Sequence, residues 1–147
     1  VYNSVLGKWL NPRAFVNPVN ALVTFNGKTP GYYRHIKTFD PNTPVTAAIS
    51  NFPLLLQSGA VVDTEAEQTD VQKQRGAKGS IGTDGTYIYL AIVSSATVTE
   101  SAYVLQALGV RDAMNLDGGG TSALWIGGQY TVGPGRLLPN AVLLMKP

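Results

Sequence analysis

The chain has 147 residues, of which 44% are hydrophobic and 14% are charged, and its formal net charge is +2. This composition is typical of one globular domain and excludes a disordered chain. The sequence contains no cysteine, which excludes disulfides, thiolate metal sites and cysteine nucleophiles. It has no run of lysine and arginine, which argues against nucleic acid as a partner, and no apolar run near the roughly 18 residues of a membrane-spanning helix. Because it begins at Val1, we expect a processed chain or an excised fragment.

Short strands and turns are predicted over the first half of the chain. Residues 1–20 show no regular period and are interpreted as an irregular arm. Five later segments have the alternation or apolar content of β-strands: Ala21–Phe25, Tyr32–Phe39, Val45–Ile49, Phe52–Leu56 and Ala60–Val62. Asn26-Gly27 is typical of a tight turn after the first of them. Residues 63–77 offer almost nothing to bury and are interpreted as a solvated loop, of a length that is often functional or mobile.

A hairpin and one helix dominate the second half. Asp84-Gly85 is a strong turn signal between the strand-like segments Lys78–Thr83 and Thr86–Val93. Thr97 and Glu100 form a capping-box pattern that begins a helix over residues 97–108, and Gly109 is suited to end it. Further strands are predicted at Arg111–Leu116, Ala123–Ile126, Gln129–Val132 and Ala141–Met145. Together these elements predict an α+β fold of mostly antiparallel or mixed β-sheet, with hairpins and one main helix packed on the sheet.

An aspartate and three glycines follow the strand that starts at Arg111. Consecutive glycines allow backbone N–H groups to converge on an anion, and they allow a ligand to approach the backbone closely. Asn115 and Asp117 alternate along the strand and are therefore predicted to face the same side. The pattern lacks the lysine of a P-loop, the helix of a dinucleotide site and the distal glutamate of an EF-hand. A glycine-rich connection with a turn-forming aspartate remains the structural alternative.

The segment Asn115-Leu-Asp-Gly-Gly-Gly-Thr-Ser122 resembles the Asn-Leu-Asp-Gly-Gly-Gly-Ser signature of the phosphodiester glycosidase family. Other segments resemble the family in its order along the chain: Ala48–Leu56 with Gly59, Lys78–Gly82, Leu105–Gly109 and Arg136–Asn140. The resemblance covers about residues 45–147. We therefore predict one family-like domain over residues 1–147, in which residues 1–44 are an arm or an N-terminal part of a different arrangement.

The resemblance implies hydrolysis of the bond between the anomeric carbon of a sugar and a phosphodiester in a glycoconjugate. It implies Asp117 as the central catalytic carboxylate, with Asn115 beside it. The residues implied in substrate binding are Gly118, Gly119, Gly120, Thr121, Lys78, Arg136 and Asn140. Lys78 stands where the family usually has arginine and supplies a point charge instead of a planar fork. Arg136 is the alternative phosphate-binding cation.

The implied partner is a carbohydrate or sugar phosphate, met in an extracellular or exported setting; bacteria and phages carry relatives of this family. We predict no cofactor, and no metal because no second ligand is evident beside Asp117. A second catalytic carboxylate is unassigned among residues that are more simply surface charges: Glu65, Glu67, Asp70, Asp84 and Glu100. His35 is interpreted as a surface or packing residue, with a general base as the alternative, and Trp125 as a core residue or one that stacks on a sugar. The alternative function is an inactive relative that serves as a carbohydrate-binding or self-assembling structural module of a virion or extracellular filament.

Overall fold

Two antiparallel β-sheets form the framework of the computed structural model, which describes residues 1–3, 6–10, 19–63, 65–138 and 140–144. The strands are β1 (Tyr2–Asn3), β2 (Lys8–Trp9), β3 (Ala21–Asn26), β4 (Thr29–Tyr33), β5 (Ala47–Asn51), β6 (Leu54–Gln57), β7 (Ala60–Val61), β8 (Gly76–Thr83), β9 (Ile88–Ala96), β10 (Asp112–Gly118), β11 (Leu124–Ile126) and β12 (Gln129–Val132). The helices are α1 (Asp70–Lys73) and α2 (Val98–Ala107), and 3-10 turns lie at Ile36–Thr38, Glu65–Glu67 and Gly119–Thr121.

The first sheet has five strands in the order β2-β1-β5-β3-β4. Its β3–β4 hairpin turns at Gly27-Lys28, one residue after the predicted Asn26-Gly27, because Asn26 still pairs with Thr29 in the ladder. Tyr2 pairs with Trp9 and with Ala48, so β1 joins the N-terminal β2 to β5. The interpretation of residues 1–20 as irregular is therefore wrong for β1 and β2, because backbone pairing with β5 orders them; residues 4, 5 and 11–18 lie outside the described part.

The second sheet has five strands in the order β7-β6-β10-β8-β9. The β8–β9 hairpin closes at Asp84-Gly85, which confirms the strongest turn prediction. Every neighbouring pair in this sheet is antiparallel. The C-terminal end of β10 therefore lies at the same end of the sheet as the N-terminal ends of β6 and β8.

The main core lies between the two sheets. Ala21 and Val23 of β3 pack with Ile81 and Met114 of the second sheet. Leu22 points to the opposite side of β3, where it packs with Ile36, as strand alternation requires. The segment Tyr32–Phe39 was predicted as one strand, but β4 ends at Tyr33 and the chain turns so that Ile36 covers this outer face.

The helix α2 covers the other face of the second sheet. Its N-terminus carries the predicted capping box, in which Thr97 Oγ1 accepts a bond from the N–H of Glu100 and a Glu100 side-chain oxygen accepts one from the N–H of Thr97. Val98, Ala102 and Leu105 form its buried face. Gly109, at φ +83°, ends the helix. The α+β fold with mostly antiparallel strands and one main helix is confirmed.

Two further predictions fail in the described residues. The segment 63–77 is not a bare loop: Thr69 and Gln72 form a capping box at α1, and Gln68 is buried against Thr99 of α2. Residues 140–144 form no strand despite their apolar character, and Leu143 is exposed; Met145 lies outside the described residues. Among the described helices, none is long and apolar enough to span a membrane.

Candidate active site

The glycine motif lies at the end of the second sheet where the central strand β10 finishes. Across the β10–β8 ladder, Asn115 pairs with Ser80 and Gly118 pairs with Lys78. The antiparallel register therefore brings together two segments that are almost 40 positions apart in sequence and that both resemble family motifs. Asn115, Lys78 and the glycine motif share one end of the sheet.

A β-bulge separates Asn115 from Gly118. Between these two ladder pairs, β10 has two residues, Leu116 and Asp117, whereas β8 has only Gly79. A Cβ at Gly79 would lie 3.0 Å from the carbonyl oxygen of Asp117 and 3.4 Å from Leu116 Cβ, so the close approach favours glycine. The regular alternation that predicted a common side for Asn115 and Asp117 does not continue across the bulge, and the two side chains differ in exposure.

Asp117 is exposed at the bulge. Its Oδ1 atom accepts one hydrogen bond, at 3.0 Å, from the backbone N–H of the adjacent Gly118. Within the described residues, Oδ2 accepts no hydrogen bond and no cation lies within ion-pair distance of the carboxylate. The geometry thus presents a carboxylate to solvent with one oxygen oriented by the backbone.

Asn115 is buried, with 5% of its surface exposed. Its side-chain Nδ2 donates to the carbonyl oxygen of Phe52 at 2.8 Å, and its backbone N–H donates to that of Pro53 at 3.0 Å. Its Oδ1 atom is buried and accepts no hydrogen bond from the described residues. The amide therefore anchors β10 to the start of β6. An unsatisfied buried acceptor of this kind costs about 1–3 kcal/mol.

The segment before β8 reaches the same anchor. Gln72 of α1 donates from Nε2 to the carbonyl oxygen of Phe52 at 3.2 Å, so this oxygen accepts bonds from both Asn115 and Gln72. Gln68 donates to Asp63 and Thr99 and fixes the segment to α2. The stretch interpreted as a solvated excursion thus forms part of the wall beside the site.

Lys78 has a buried side-chain stem, and only 8% of the residue's surface is exposed. The stem packs along Gly118, where a Cβ would lie 3.7 Å from Lys78 Cδ. Its Nζ atom is not among the fully buried polar atoms of the described residues, so the ammonium reaches solvent at the end of a buried stem. The ion pairs found among the described residues are Arg34–Glu67, at 3.7 Å, and Arg75–Glu100, and neither involves Lys78. An ammonium held in this way is suited to bind an anion.

The three glycines differ in what the backbone requires of them. A Cβ at Gly118 would lie 2.8 Å from the carbonyl oxygen of Ala77, and Gly119 has φ +60°, so the fold itself explains both. A Cβ at Gly120 would meet nothing within 4 Å, and its φ lies outside the left-handed region. The absence of a side chain at Gly120 therefore has no explanation in the packing of the described chain.

Thr121 closes the glycine turn. Its Oγ1 donates to the carbonyl oxygen of Gly118 at 2.7 Å, and the residue is buried. The N–H of Ser122 donates to the carbonyl oxygen of Gly119 at 3.0 Å. Thr121 was implied as a substrate-binding residue, but its hydroxyl proton is already engaged in holding the turn.

The two implied residues near the C-terminus differ in how the fold holds them. The N–H of Gly135 donates to the carbonyl oxygen of Gly120 at 3.1 Å. Arg136 is therefore the residue that directly follows a contact with the glycine turn. Arg136 is exposed and, among the described residues, has no ion-pair partner. Asn140 is also exposed, and no described hydrogen bond joins it to the site.

Two serines at the site were not recognised as candidates. Ser80 and Ser122 are buried, and their hydroxyl oxygens have no hydrogen-bond partner among the described residues. Ser80 lies directly across from Asn115, whose Oδ1 is also unsatisfied. Their positions could have indicated them, because both serines lie in segments that resemble the family. Ser80 follows Lys78 by two residues, and Ser122 comes immediately after Thr121.

The candidates for a second carboxylate include two that are already engaged. Glu100 caps α2 and pairs with Arg75. Asp84 lies at the opposite end of β8 from Lys78, and its pKa is lowered by hydrogen bonds from the N–H of Tyr87, the hydroxyl of Tyr89 and the N–H of Thr86. In the described parts of the chain, no group of three or more histidine, aspartate or glutamate side chains is arranged to hold a metal ion.

Comparison with known proteins identifies the family. The model of the phosphodiester glycosidase family matches residues 11–145, so it extends into the N-terminal part that the motifs left open. Among solved structures, the catalytic domain of zebrafish N-acetylglucosamine-1-phosphodiester alpha-N-acetylglucosaminidase, auto-inhibited by its pro-peptide, matches with a TM-score of 0.62 and 21% identity, over 77% of this chain and 44% of that chain. A hypothetical protein from Synechocystis matches with a TM-score of 0.52 and 20% identity, over 76% of this chain and 30% of that chain.

These two structures share the fold, and the present chain spans less than half the length of either. No curated protein matches the sequence. The family match covers most of the chain and agrees with the resemblance carried by the glycine motif. The chain belongs to the phosphodiester glycosidase family.

Proposed function

We propose that the chain hydrolyses a sugar-1-phosphodiester, at the bond between the anomeric carbon and the phosphate oxygen. One observation carries the proposal: Lys78, whose stem is buried, has no anionic partner among the described residues, and it lies across the ladder from the motif that bears the exposed Asp117. A site with an unpaired cation and a free carboxylate suits a substrate that combines an anionic group with an electrophilic carbon.

The negatively charged phosphodiester is the ion-pair partner that Lys78 lacks. Lys78 binds one non-bridging oxygen, and Arg136, exposed beside the glycine turn, binds the same group from the solvent side. Backbone N–H groups of the turn add donors of the kind that favour anions. Since Lys78 gives a point charge, orientation of the phosphate depends on these additional donors.

Asp117 acts on the anomeric carbon as a general base. It removes a proton from a water molecule, whose oxygen forms a bond to the anomeric carbon while the bond from this carbon to the phosphate oxygen breaks. The electron pair of the broken bond leaves with the phosphate monoester. A phosphate monoester is a stable anion at neutral pH, with a second pKa of about 6, so its departure does not require a separate acid. One carboxylate is therefore sufficient for this scheme.

The remaining motif residues support this reaction indirectly. Asn115, through its bonds to Phe52 and Pro53, holds the bulge that exposes Asp117. Gly120 leaves open space at the turn, which suits a sugar or phosphate lying against the backbone. The name of the zebrafish relative describes cleavage of a sugar-1-phosphodiester, and this supports the same reaction class for the present chain.

The test is hydrolysis of a panel of sugar-1-phosphodiesters in water enriched in oxygen-18. We expect free sugar and a phosphate monoester, with the heavy oxygen on the anomeric carbon of the sugar. Heavy oxygen on the phosphate would show cleavage of the phosphorus–oxygen bond and would overturn the glycosidase mechanism. Absence of product from every member of the panel would overturn the proposed activity.

A further inference from the structure

The hairpin of β11 and β12 carries two exposed aromatic side chains. Trp125 pairs with Tyr130 across the ladder, and directly opposite residues of an antiparallel pair lie side by side on one face. Trp125 is 60% exposed and Tyr130 is 56% exposed. The interpretation of Trp125 as a core residue is therefore wrong, because most of the side chain lies in solvent on a separate two-stranded sheet.

These two rings lack the contacts that aromatic side chains make elsewhere in the molecule. Trp9 and Phe39 meet edge to face at 5.9 Å, and Tyr33 and Phe39 at 5.1 Å. No described ring contacts Trp125 or Tyr130 in this way. The pair thus leaves a large area of aromatic surface in water, and exposed surface of this kind marks a binding site in soluble proteins.

Both ends of the hairpin are attached to the glycine turn. On the exit side, the N–H of Gly135 donates to the carbonyl oxygen of Gly120 at 3.1 Å. Gly133 lies so close to the carbonyl oxygen of Ser122 that a Cβ would collide with it. On the entry side, Trp125 follows Ser122 by three residues, which is about 10 Å at the rise of an extended strand. The aromatic pair is therefore continuous with the site that contains Asp117.

The chemistry of the hairpin selects a neutral and amphipathic ligand. Residues 123–132 include no charged side chain, and the exposed Gln129 and Thr131, which flank Tyr130 in β12, alternate with it and face the other side of the hairpin. A pyranose ring has an apolar face of C–H groups that packs on an aromatic ring, and hydroxyls at its rim that bond to amides and hydroxyls. An anionic group has no cation to meet on this hairpin.

We propose that Trp125 and Tyr130 form a saccharide-binding platform that holds a neutral sugar unit of the substrate beside the bond to be cleaved. The proposal rests on the proposed function for its ligand class. It adds a subsite that recognises the carbohydrate, whereas Lys78 and Asp117 act on the phosphate and the anomeric carbon.

Tryptophan fluorescence tests the platform without requiring turnover. The chain contains 2 tryptophans, and Trp9 packs against Phe39 whereas Trp125 is exposed. Asp117→Asn protein is titrated with neutral mono- and disaccharides of the gluco, galacto and manno series, with and without N-acetyl groups. We expect at least one sugar to give a saturable blue shift that is absent when Trp125→Phe is added.

A matched pair of tyrosine variants locates the binding. Tyr130→Ala is expected to raise the dissociation constant of the sugar, taken from the fluorescence titration, by about tenfold or more. Tyr103→Ala, which removes a 57% exposed tyrosine from α2, is expected to leave it unchanged. Equal weakening by both variants, or no saturable change with any sugar, would overturn the platform. A shift that depends on protein concentration alone would also overturn it, because the aromatic pair would then be a contact between copies of the chain.

The two proposals fail separately. Saccharide binding at Trp125 without release of sugar from any phosphodiester would overturn the enzymatic function and leave the platform as a binding site. Release of sugar without a saccharide-dependent change in the fluorescence of Trp125 would overturn the platform alone.

Discussion

The second sheet contains two Asp-Gly pairs, at opposite ends of β8, and they are used differently. Asp84 closes the β8–β9 hairpin, and its carboxylate accepts the N–H groups of Thr86 and Tyr87 at 2.7 and 2.8 Å and the hydroxyl of Tyr89 at 2.7 Å. Asp117 stands at the bulge of β10, and within the described part of the chain its carboxylate accepts a single hydrogen bond, from the N–H of the next residue. The same dipeptide thus has a fully engaged carboxylate at one end and a free one at the other.

The backbone causes this difference. At the hairpin, Gly85 adopts φ +99° and turns the chain so that the following N–H groups converge on Asp84. At the bulge, the extra residue opposite Gly79 leaves Asp117 outside the regular ladder. An aspartate whose hydrogen bonds are satisfied stabilises the fold, whereas an unsatisfied one is available to a ligand. Substitutions at the two positions should therefore affect different properties.

Asp117→Asn is expected to have the largest effect on activity. If Asp117 is the general base, the amide cannot take a proton, and the turnover number should fall by about 10²- to 10⁴-fold. The melting temperature should not change, because the carboxylate makes one local hydrogen bond among the described residues. Kinetics on a sugar-1-phosphodiester and thermal unfolding followed by circular dichroism measure the two effects. Full activity in this variant would remove Asp117 from the mechanism.

Lys78→Met tests the cation. Methionine keeps an apolar stem but removes the charge, so kcat/KM for the phosphodiester should fall by about 10- to 100-fold. The free energy of unfolding should change by less than about 1 kcal/mol, because the packed stem is kept and the lost ammonium reaches solvent. Urea unfolding and steady-state kinetics measure the two quantities.

Lys73→Met on the exposed face of α1 is the matched control and should change neither quantity by a measurable amount. A Lys78→Met protein that is less stable and fully active would mean that the lysine has a structural role, with its charge compensated within the fold.

Gly120→Ala tests whether a ligand approaches the glycine turn. The added methyl group meets no atom of the described chain within 4 Å, so stability should change by less than about 0.5 kcal/mol. Contact with a substrate at this position should raise KM by about 5- to 10-fold. Gly119→Ala is the contrasting variant: at φ +60° it should lose about 1–2 kcal/mol of stability. An unchanged KM in Gly120→Ala would place the substrate away from the turn.

Local signals predicted much of the framework. The turn after β3, the turn at Asp84-Gly85 and the capping box of α2 depend on neighbouring residues, and the structure contains all three, the first of them one residue later than predicted. The glycine motif was likewise recognised as one continuous segment. The pairing of Gly118 with Lys78 depends on which strands are neighbours in the second sheet. Separate sequence motifs do not predict that strand order.

The features that the sequence did not reveal depend on distant contacts. The bulge at Asp117 exists because Gly79, on another strand, permits the close approach. The order in residues 65–75 comes from bonds of Gln68 to α2 and of Gln72 to Phe52. Periodicity reports the environment of one segment, so it cannot show which second segment completes a hydrogen bond.

Asp84→Asn is expected to have the smallest effect on activity and to act on stability instead. The hydrogen bonds from Tyr87, Tyr89 and Thr86 lower the pKa of Asp84 below its ordinary value of 3.8. A carboxylate with a lowered pKa in the folded state contributes stability that is fully present above the ordinary pKa and is lost as the pH falls through the folded-state pKa.

The variant should therefore melt at a lower temperature than the native chain at neutral pH, and the two melting temperatures should converge below about pH 3.8. Thermal unfolding of both proteins between neutral and acidic pH measures this convergence. Turnover by Asp84→Asn should equal that of the native chain at neutral pH; a loss of turnover with an unchanged melting temperature would reverse the roles assigned to the two aspartates.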